Sequence, residues 1–210
     1  MRDDPKMGEA FKKNANFEVT TRKAAVELQS DYWGKNSLSG HERNRLFISK
    51  KGKSFGEVSL ISGSDHLGDG RSVVLFDYDR DGKTDIASIN TNAPKLVLYK
   101  NEVTSPHHFA TFRFVGAGHS AEGSNRDGIG VRVELALDRM TVVEELRAGE
   151  GFSAQNSKTL LIGLGESKVI PKAKFYWPSG KTSEFENLPV NRLITITEGK
   201  TEYTIEAYRP

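Results

Sequence analysis

The chain has 210 residues, no cysteine, 20 glycines and 36% hydrophobic residues, a composition that favours many short strands and turns over long helices. The lack of cysteine excludes disulfides, cysteine-ligated zinc, iron–sulfur clusters and thiol nucleophiles. Thirty basic and 28 acidic residues leave a net charge of only +2, so no electrostatic footprint for nucleic acid is expected. No apolar run reaches the length of a membrane span.

Residues 1–40 are polar and mixed, and they lack the apolar core of a signal peptide. The segment TTRKAAVELQSDYWG predicts a helix, because Thr20 or Thr21 can cap its start and Gly34 can end it. We therefore predict an N-terminal helical or irregular segment over residues 1–40.

From Arg45 the hydrophobic pattern alternates with a period of two. The segment RLFISKKGKSFGEVSLISG predicts a strand, a turn and a second strand. Three further strands are predicted over Val73–Phe76, Ile86–Ile89 and Leu96–Tyr99, with an acidic loop between the first two. Residues 41–104 therefore form a second region.

After a connector that contains Pro106, eight short alternating runs follow at a spacing of roughly 8–12 residues. Glycine, asparagine, aspartate or proline separates them. This pattern is typical of an antiparallel β-sandwich or barrel. We predict that residues 105–210 form a self-contained β domain.

The acidic loop DYDRDGKTD spaces its carboxylates as a hard cation requires. Asp77, Asp79, Asp81 and Asp85 occupy positions 1, 3, 5 and 9, Gly82 occupies position 6, and Lys83 can offer its carbonyl from position 7. Ca²⁺ takes six to eight oxygen ligands at about 2.3–2.6 Å, which a loop supplies by curling around the ion. The spacing predicts a Ca²⁺ site formed by these four aspartates and the Lys83 carbonyl.

A second interpretation of the loop stays open. An Asp-Gly hairpin turn with solvated aspartates needs no metal, and Arg80 and Lys83 can neutralise part of the acidic charge. The loop is not an EF-hand, because Ser88 stands at position 12 and β-type runs flank it.

Two stretches carry a family resemblance. The segment GDGRSVVLFDYDRDGKTDIASINTNAPKLVLYKNE resembles an FG-GAP or VCBS repeat, the calcium-loop blade of integrin-like β-propellers. The segments GSNRDGIG, QNS, GLG, WPSG and NRLITITEG resemble, in that order, the ASPIC/UnbV domain. The pairing is similar to the cartilage acidic protein/UnbV family. About one and a half blades are visible, too few to close a propeller.

The resemblance implies a calcium-binding, extracytoplasmic (periplasmic or secreted) β protein. Relatives of this kind have adhesion or matrix roles in animals, and a bacterial branch lies among enediyne biosynthesis genes. We expect a non-enzymatic protein that binds a protein or a polysaccharide, or a subunit of a larger assembly whose other chains cover the exposed strand edges. The fold class is mainly β, with a partial propeller-like region before a sandwich or barrel.

The alternative is an accessory protein or enzyme of an enediyne-type biosynthetic pathway. Its polar site would lie around the segment His41–Asn44 or around Gln155 and Asn156. Arg43 and Arg45 have a simpler explanation, which is that they pair with a carboxylate in the next strand.

Three weaker patterns have both a structural and a functional interpretation. Asn125 and Asp127 in GSNRDGIG form either a second cation site or a hairpin turn. Trp177 in WPSG is either a core anchor or a platform for carbohydrate. His107 and His108 are adjacent, so a regular strand directs them to opposite faces and does not bring them to one metal.

Overall fold

In the computed structural model, the described residues are 42–50, 52–91, 94–118 and 122–208, and they belong to one compact unit, Glu42–Pro210. They are mainly β. In this part of the chain no helix is long and apolar enough to cross a membrane. The predicted helix around residues 20–34 lies outside the described residues. The boundary predicted near residue 105 stays a prediction.

Within these described ranges, the elements are short strands and one four-residue helix. In chain order they are β1 (Phe47–Ser49), β2 (Phe55–Glu57), α1 (Ser59–Ser62), β3 (Gly70–Phe76), β4 (Asp85–Asn90), β5 (Leu96–Tyr99), β6 (His108–Val115), β7 (Arg132–Ala136), β8 (Thr141–Glu145), β9 (Thr159–Gly165), β10 (Val169–Tyr176), β11 (Thr182–Pro189), β12 (Arg192–Thr197) and β13 (Tyr203–Ala207).

Two four-stranded sheets form a β-sandwich. The first has the strand order β11-β10-β7-β8 and the second has the order β13-β12-β6-β9. Strand β7 buries one face, as the alternating sequence predicts: Val133 and Leu135 are fully buried, whereas Arg132 and Ala136 are exposed. The edge strands β8 and β13 contain no fully buried residue. All eight predicted runs after the connector form strands, namely β6 to β13.

One hydrophobic core holds the two sheets together. The Phe112 ring of one sheet meets the Phe175 ring of the other edge to face, with 5.3 Å between centroids. Burying a phenylalanine stabilises a fold by roughly 1.5–3 kcal/mol. The core also contains Ala110, Phe114, Val131, Val133, Leu135, Leu137, Leu146, Ile162, Leu164, Ile170, Ala173, Trp177, Phe185, Leu188, Ile194 and Ile196.

The strand pairing differs from the prediction in one respect. Strands β6 and β12 pair in parallel, with Phe112 opposite Ile194, so the domain is not wholly antiparallel. No closed barrel occurs in the described residues. Hydrophobic alternation reports which face of a strand is buried but not which strand lies beside it, so the parallel pair could not be predicted from it.

A three-stranded antiparallel sheet, β3-β4-β5, precedes the sandwich. Its edge strand β3 is tied to the loop after β8, because the Leu75 N–H donates to Asn156 Oδ1 at 2.8 Å and the Ser157 N–H donates to the Leu75 carbonyl at 3.3 Å. The described residues form no closed propeller.

The segment before this sheet was predicted as two strands, and its hairpin β1-β2 is present. The residues that follow form α1 instead of extending β2. The helix ends at Gly63, whose φ of 71° lies in the left-handed region that glycine adopts at helix C-termini.

Candidate metal centre

The acidic loop joins β3 to β4. Phe76 and Asp85 form the last pair of the two strands, so residues 77–84 make the connection. The turn depends on Gly82, whose φ of 86° is accessible to glycine at little cost. The sequence therefore places the acidic residues at one end of a short sheet.

Two aspartates hold the loop through the backbone. Asp77 accepts hydrogen bonds from the N–H groups of Asp81 at 3.1 Å and Gly82 at 2.9 Å. Asp85 is 1% exposed and accepts from the N–H groups of Tyr78 at 3.0 Å and Asn101 at 2.7 Å. These hydrogen bonds hold both carboxylates in place without the help of a metal ion.

Three of the predicted ligands converge. Carboxylate oxygens of Asp77, Asp79 and Asp85 all lie within 4.8 Å of one another. Two oxygens on opposite sides of one Ca²⁺ ion are separated by about 4.8 Å, twice the usual bond length, so the spacing fits a shared ion. Asp79 Oδ1 is a buried atom that accepts no hydrogen bond in the described structure.

The other two predicted ligands lie differently. Asp81 Oδ2 pairs with Lys83 Nζ at 2.8 Å, and Asp81 Oδ1 accepts the Lys83 N–H at 2.9 Å. Asp81 is therefore engaged beside the cluster rather than in it. The ligand roles of Asp81 and of the Lys83 carbonyl stay predictions.

A lysine distant in sequence also contacts the cluster. Lys100 Nζ lies 2.8 Å from Asp79 Oδ2, and this ion pair lowers the pKa of Asp79. Burial raises the pKa of Asp77, against the N–H groups of Gly82 and Asp81 and the Tyr208 side chain, which lower it. A single lysine at three carboxylates leaves the cluster short of positive charge.

Elsewhere, a buried carboxylate joins three loops. Glu198 is 5% exposed, and its Oε2 accepts the N–H groups of Ala117 and Ser124, both at 2.8 Å. Its Oε1 accepts the hydroxyls of Ser124 at 3.1 Å and of Ser179. Burial raises the pKa of Glu198, but these hydrogen bonds outweigh burial and lower it to about 2. We call this group the Glu198 clamp.

Two of the weaker sequence patterns have structural roles. Trp177 is 3% exposed, lies in the core and donates from Nε1 to Ser183 Oγ at 2.9 Å. Asn125 closes a turn through hydrogen bonds with the Ile129 N–H at 2.9 Å and carbonyl at 2.7 Å. Asp127 lies within this turn, and its carboxylate pairs with Lys158 at 2.5 Å.

The residues considered for an enzyme site are only partly brought together. Asn44 and Asn156 line one cleft, whereas Arg43 pairs with Asp65 at 2.7 Å. His41 lies outside the described residues. Asn156 serves the structure, since its Oδ1 accepts the Leu75 N–H and its Nδ2 donates to Glu150.

Two of these polar residues, Glu42 and Gln155, are simply exposed to solvent. Arg45 has the predicted structural role, because it pairs with Glu57 on β2 at 2.5 Å. The partner of Arg43, Asp65, lies in the connection between α1 and β3 and not in a strand.

The fold and the site define a mainly β protein whose sandwich follows a small sheet with an acidic loop. Residues 121–203 match the family model described as ASPIC and UnbV, which supports the resemblance in that part of the chain. The match covers β7 to β12 and ends at the first residue of β13. No curated protein matches the sequence closely. The resemblance of the small sheet to an FG-GAP or VCBS repeat stays a prediction.

Proposed function

We propose that the protein is a non-enzymatic, calcium-stabilised binding protein. The observation that carries the proposal is the convergence of Asp77, Asp79 and Asp85, with oxygens within 4.8 Å of one another and one buried Asp79 oxygen that accepts no hydrogen bond in the described structure. Ca²⁺ would supply positive charge and accept these oxygens as ligands. Further ligands would come from Asp81 or the Lys83 carbonyl.

The ion would act on the fold rather than on a reaction. Asp77 begins the connection between β3 and β4, and Asp85 is the first residue of β4. A cation between them would therefore fix the end of the three-stranded sheet. A ligand that binds only the folded state stabilises it by mass action. An extracytoplasmic location suits such a site, because extracellular modules bind Ca²⁺ with dissociation constants of about 10⁻⁴–10⁻³ M.

Exposed apolar side chains support the binding role. Phe55, Leu60, Ile61, Leu96 and Val103 are between 59% and 84% exposed, and all lie in the region before the sandwich. Ile61 and Val103 line the same cleft, and a contiguous exposed apolar patch marks a site of interaction with other molecules. The partner would be a protein, a polysaccharide or another chain of an assembly.

The calcium site is tested by thermal unfolding in Ca²⁺ and in excess chelator. We expect chelation to lower the melting temperature of the wild-type protein by several degrees, since a ΔΔG of 1 kcal/mol shifts it by about 2–4 °C for a domain of this size. Asp79→Asn is expected to remove the difference between the two conditions, because the cluster then loses a charged ligand.

The matched control is Asp138→Asn, which removes the same charge from an exposed turn. This variant is expected to keep the full response to chelator. A wild-type melting curve that is identical in Ca²⁺ and in chelator would contradict the calcium site.

A further inference from the structure

A second cleft lies where the acidic loop meets the sandwich. It has a volume of about 490 Å³ and is lined by Arg80 and Lys83 from the loop, by Phe109 from β6, and by Arg192 and Tyr208. It lies beside the aspartate cluster but does not include Asp77, Asp79 or Asp85. The sequence alone does not predict it, because Arg80 and Arg192 lie more than a hundred residues apart in the chain.

The cleft carries excess positive charge. Lys83 is paired with Asp81 at 2.8 Å, so these two charges cancel. Neither Arg80 nor Arg192 forms an ion pair with any acidic group in the described part of the chain. Two unpaired guanidinium groups at one concave surface attract an anion, and each can bind a carboxylate through two parallel hydrogen bonds.

The walls of the cleft are held in place by hydrogen bonds. The Asn191 N–H donates to the Phe109 carbonyl at 2.7 Å, and the Phe109 N–H donates to Asn191 Oδ1 at 3.2 Å. Asn191 Nδ2 also lies 2.9 Å from His108 Nδ1. The backbone carbonyl of Asn191 accepts a hydrogen bond from Arg192 Nη1 at 2.9 Å. A site fixed before binding loses less entropy when it captures a ligand.

The backbone of the cleft is also unusual. Arg80 and Asn191 have φ angles of 60° and 55°, in the left-handed region that side chains other than glycine rarely adopt. Such conformations cost roughly 1–3 kcal/mol and concentrate at functional sites. Both of these residues line the same cleft.

The cleft also offers an apolar wall. The rings of Phe109 and Tyr208 contact each other edge to face, with 5.0 Å between centroids, and both are partly exposed. Aromatic rings pack against the C–H faces of sugar rings, while guanidinium groups bind sugar carboxylates. The volume of about 490 Å³ lies in the 300–1,000 Å³ range of small-ligand sites.

We propose that this cleft binds an acidic saccharide unit, with Arg80 and Arg192 on its carboxylate and the Phe109–Tyr208 pair against its ring. The inference rests on the proposed binding function, to which it adds the chemical class of the ligand. It does not require that the ligand contact the metal.

The test is isothermal titration of the full chain, in Ca²⁺ and 150 mM NaCl, with a hexasaccharide of alternating glucuronate and N-acetylglucosamine. We expect measurable binding, and at least tenfold weaker binding of the same hexasaccharide after its carboxylates are reduced to alcohols. The double variant R80Q/R192Q is expected to lose at least tenfold in affinity for the acidic form.

The matched control is R139Q/K200Q, which removes two positive charges at exposed positions outside the cleft, and it is expected to bind as the wild type does. Equal loss in both double variants would overturn the proposal, because binding would then follow net charge alone. Preference for a hexamer of glutamate would overturn it in favour of an acidic protein partner. The single variants R80Q and R192Q provide the same comparison if the double variant is unstable.

The response to chelator separates the two proposals. A protein that is stabilised by Ca²⁺ but does not bind the hexasaccharide would contradict only the cleft. A protein that binds the hexasaccharide but shows no response to chelator would contradict only the calcium site.

Discussion

Glu198→Ala is expected to lower the free energy of unfolding by about 4 kcal/mol, because it leaves buried N–H and hydroxyl donors without an acceptor. Glu198 is 5% exposed, and its two oxygens accept from Ala117, Ser124 and Ser179. Ala117 and Ser124 belong to the loop between β6 and β7, and Ser179 belongs to the loop between β10 and β11, so the clamp holds one end of the sandwich together. Urea unfolding at pH 7 measures the effect.

The milder variant Glu198→Gln isolates the charge. The pKa of Glu198 is lowered from 4.5 to about 2, and each unit is worth about 1.4 kcal/mol, so the ionised clamp contributes about 3 kcal/mol. A lowered pKa means that this contribution is fully present above about pH 4.5 and is lost as the pH falls towards 2.

The difference in stability between the wild type and Glu198→Gln should therefore shrink between pH 5 and pH 2. Other carboxylates titrate in the same range, but they are common to both proteins and cancel in the difference. Glu202→Gln, at an exposed position in the next turn, is expected to change stability by less than about 0.5 kcal/mol. A Glu198→Gln variant with the pH dependence of the wild type would contradict the clamp.

Gly82→Ala is expected to cost about 3 kcal/mol and to weaken the response to Ca²⁺. Two effects combine. The φ of 86° is unfavourable for alanine, and an added Cβ would lie 2.1 Å from Cε1 of Phe109. The Phe109 ring would have to shift, although it already contacts the ring of Tyr208. Because the loop and the sandwich meet at this contact, the change is expected to displace the aspartate cluster as well.

Thermal unfolding in Ca²⁺ and in chelator measures both parts of the effect. The matched control is Gly163→Ala, which is near Phe109 on the strand paired with β6 but has nothing within 4 Å of the added Cβ. It is expected to unfold within about 2 °C of the wild type. Equal melting temperatures for Gly82→Ala and Gly163→Ala would show that the contact with Phe109 does not constrain the loop.

The strands could be predicted because their information is local. The run that forms β7 alternates between Val133 and Leu135, which are buried, and neighbours that are not, and the run that forms β5 has the predicted bounds Leu96–Tyr99. The parallel pairing of β6 with β12 depends on residues far apart in the chain, and alternation within either strand carries no information about it.

The site also combines features that a local sequence pattern predicts with features that depend on residues far apart in the chain. The spacing of Asp77, Asp79 and Asp85 predicts their convergence, because all three belong to one loop. The ion pair of Lys100 with Asp79 requires the fold of β5 against β4. Glu198 directly follows the alternating strand β12, and nothing in that local pattern marks its carboxylate as buried. Its burial depends on the loops that carry Ser124 and Ser179, which no local pattern brings together.

The parallel pair also has a consequence for the order in which the chain folds during synthesis. β6 is the central strand between β9 and β12, yet its partner on one side follows about eighty residues later, with Phe112 opposite Ile194. At about 5–20 residues per second, a ribosome needs roughly 4–16 s to make that stretch. During this interval one edge of β6 has no partner from its own sheet, and it is exposed to pairing with another chain. The second sheet is therefore completed late, and we expect it to limit the folding rate.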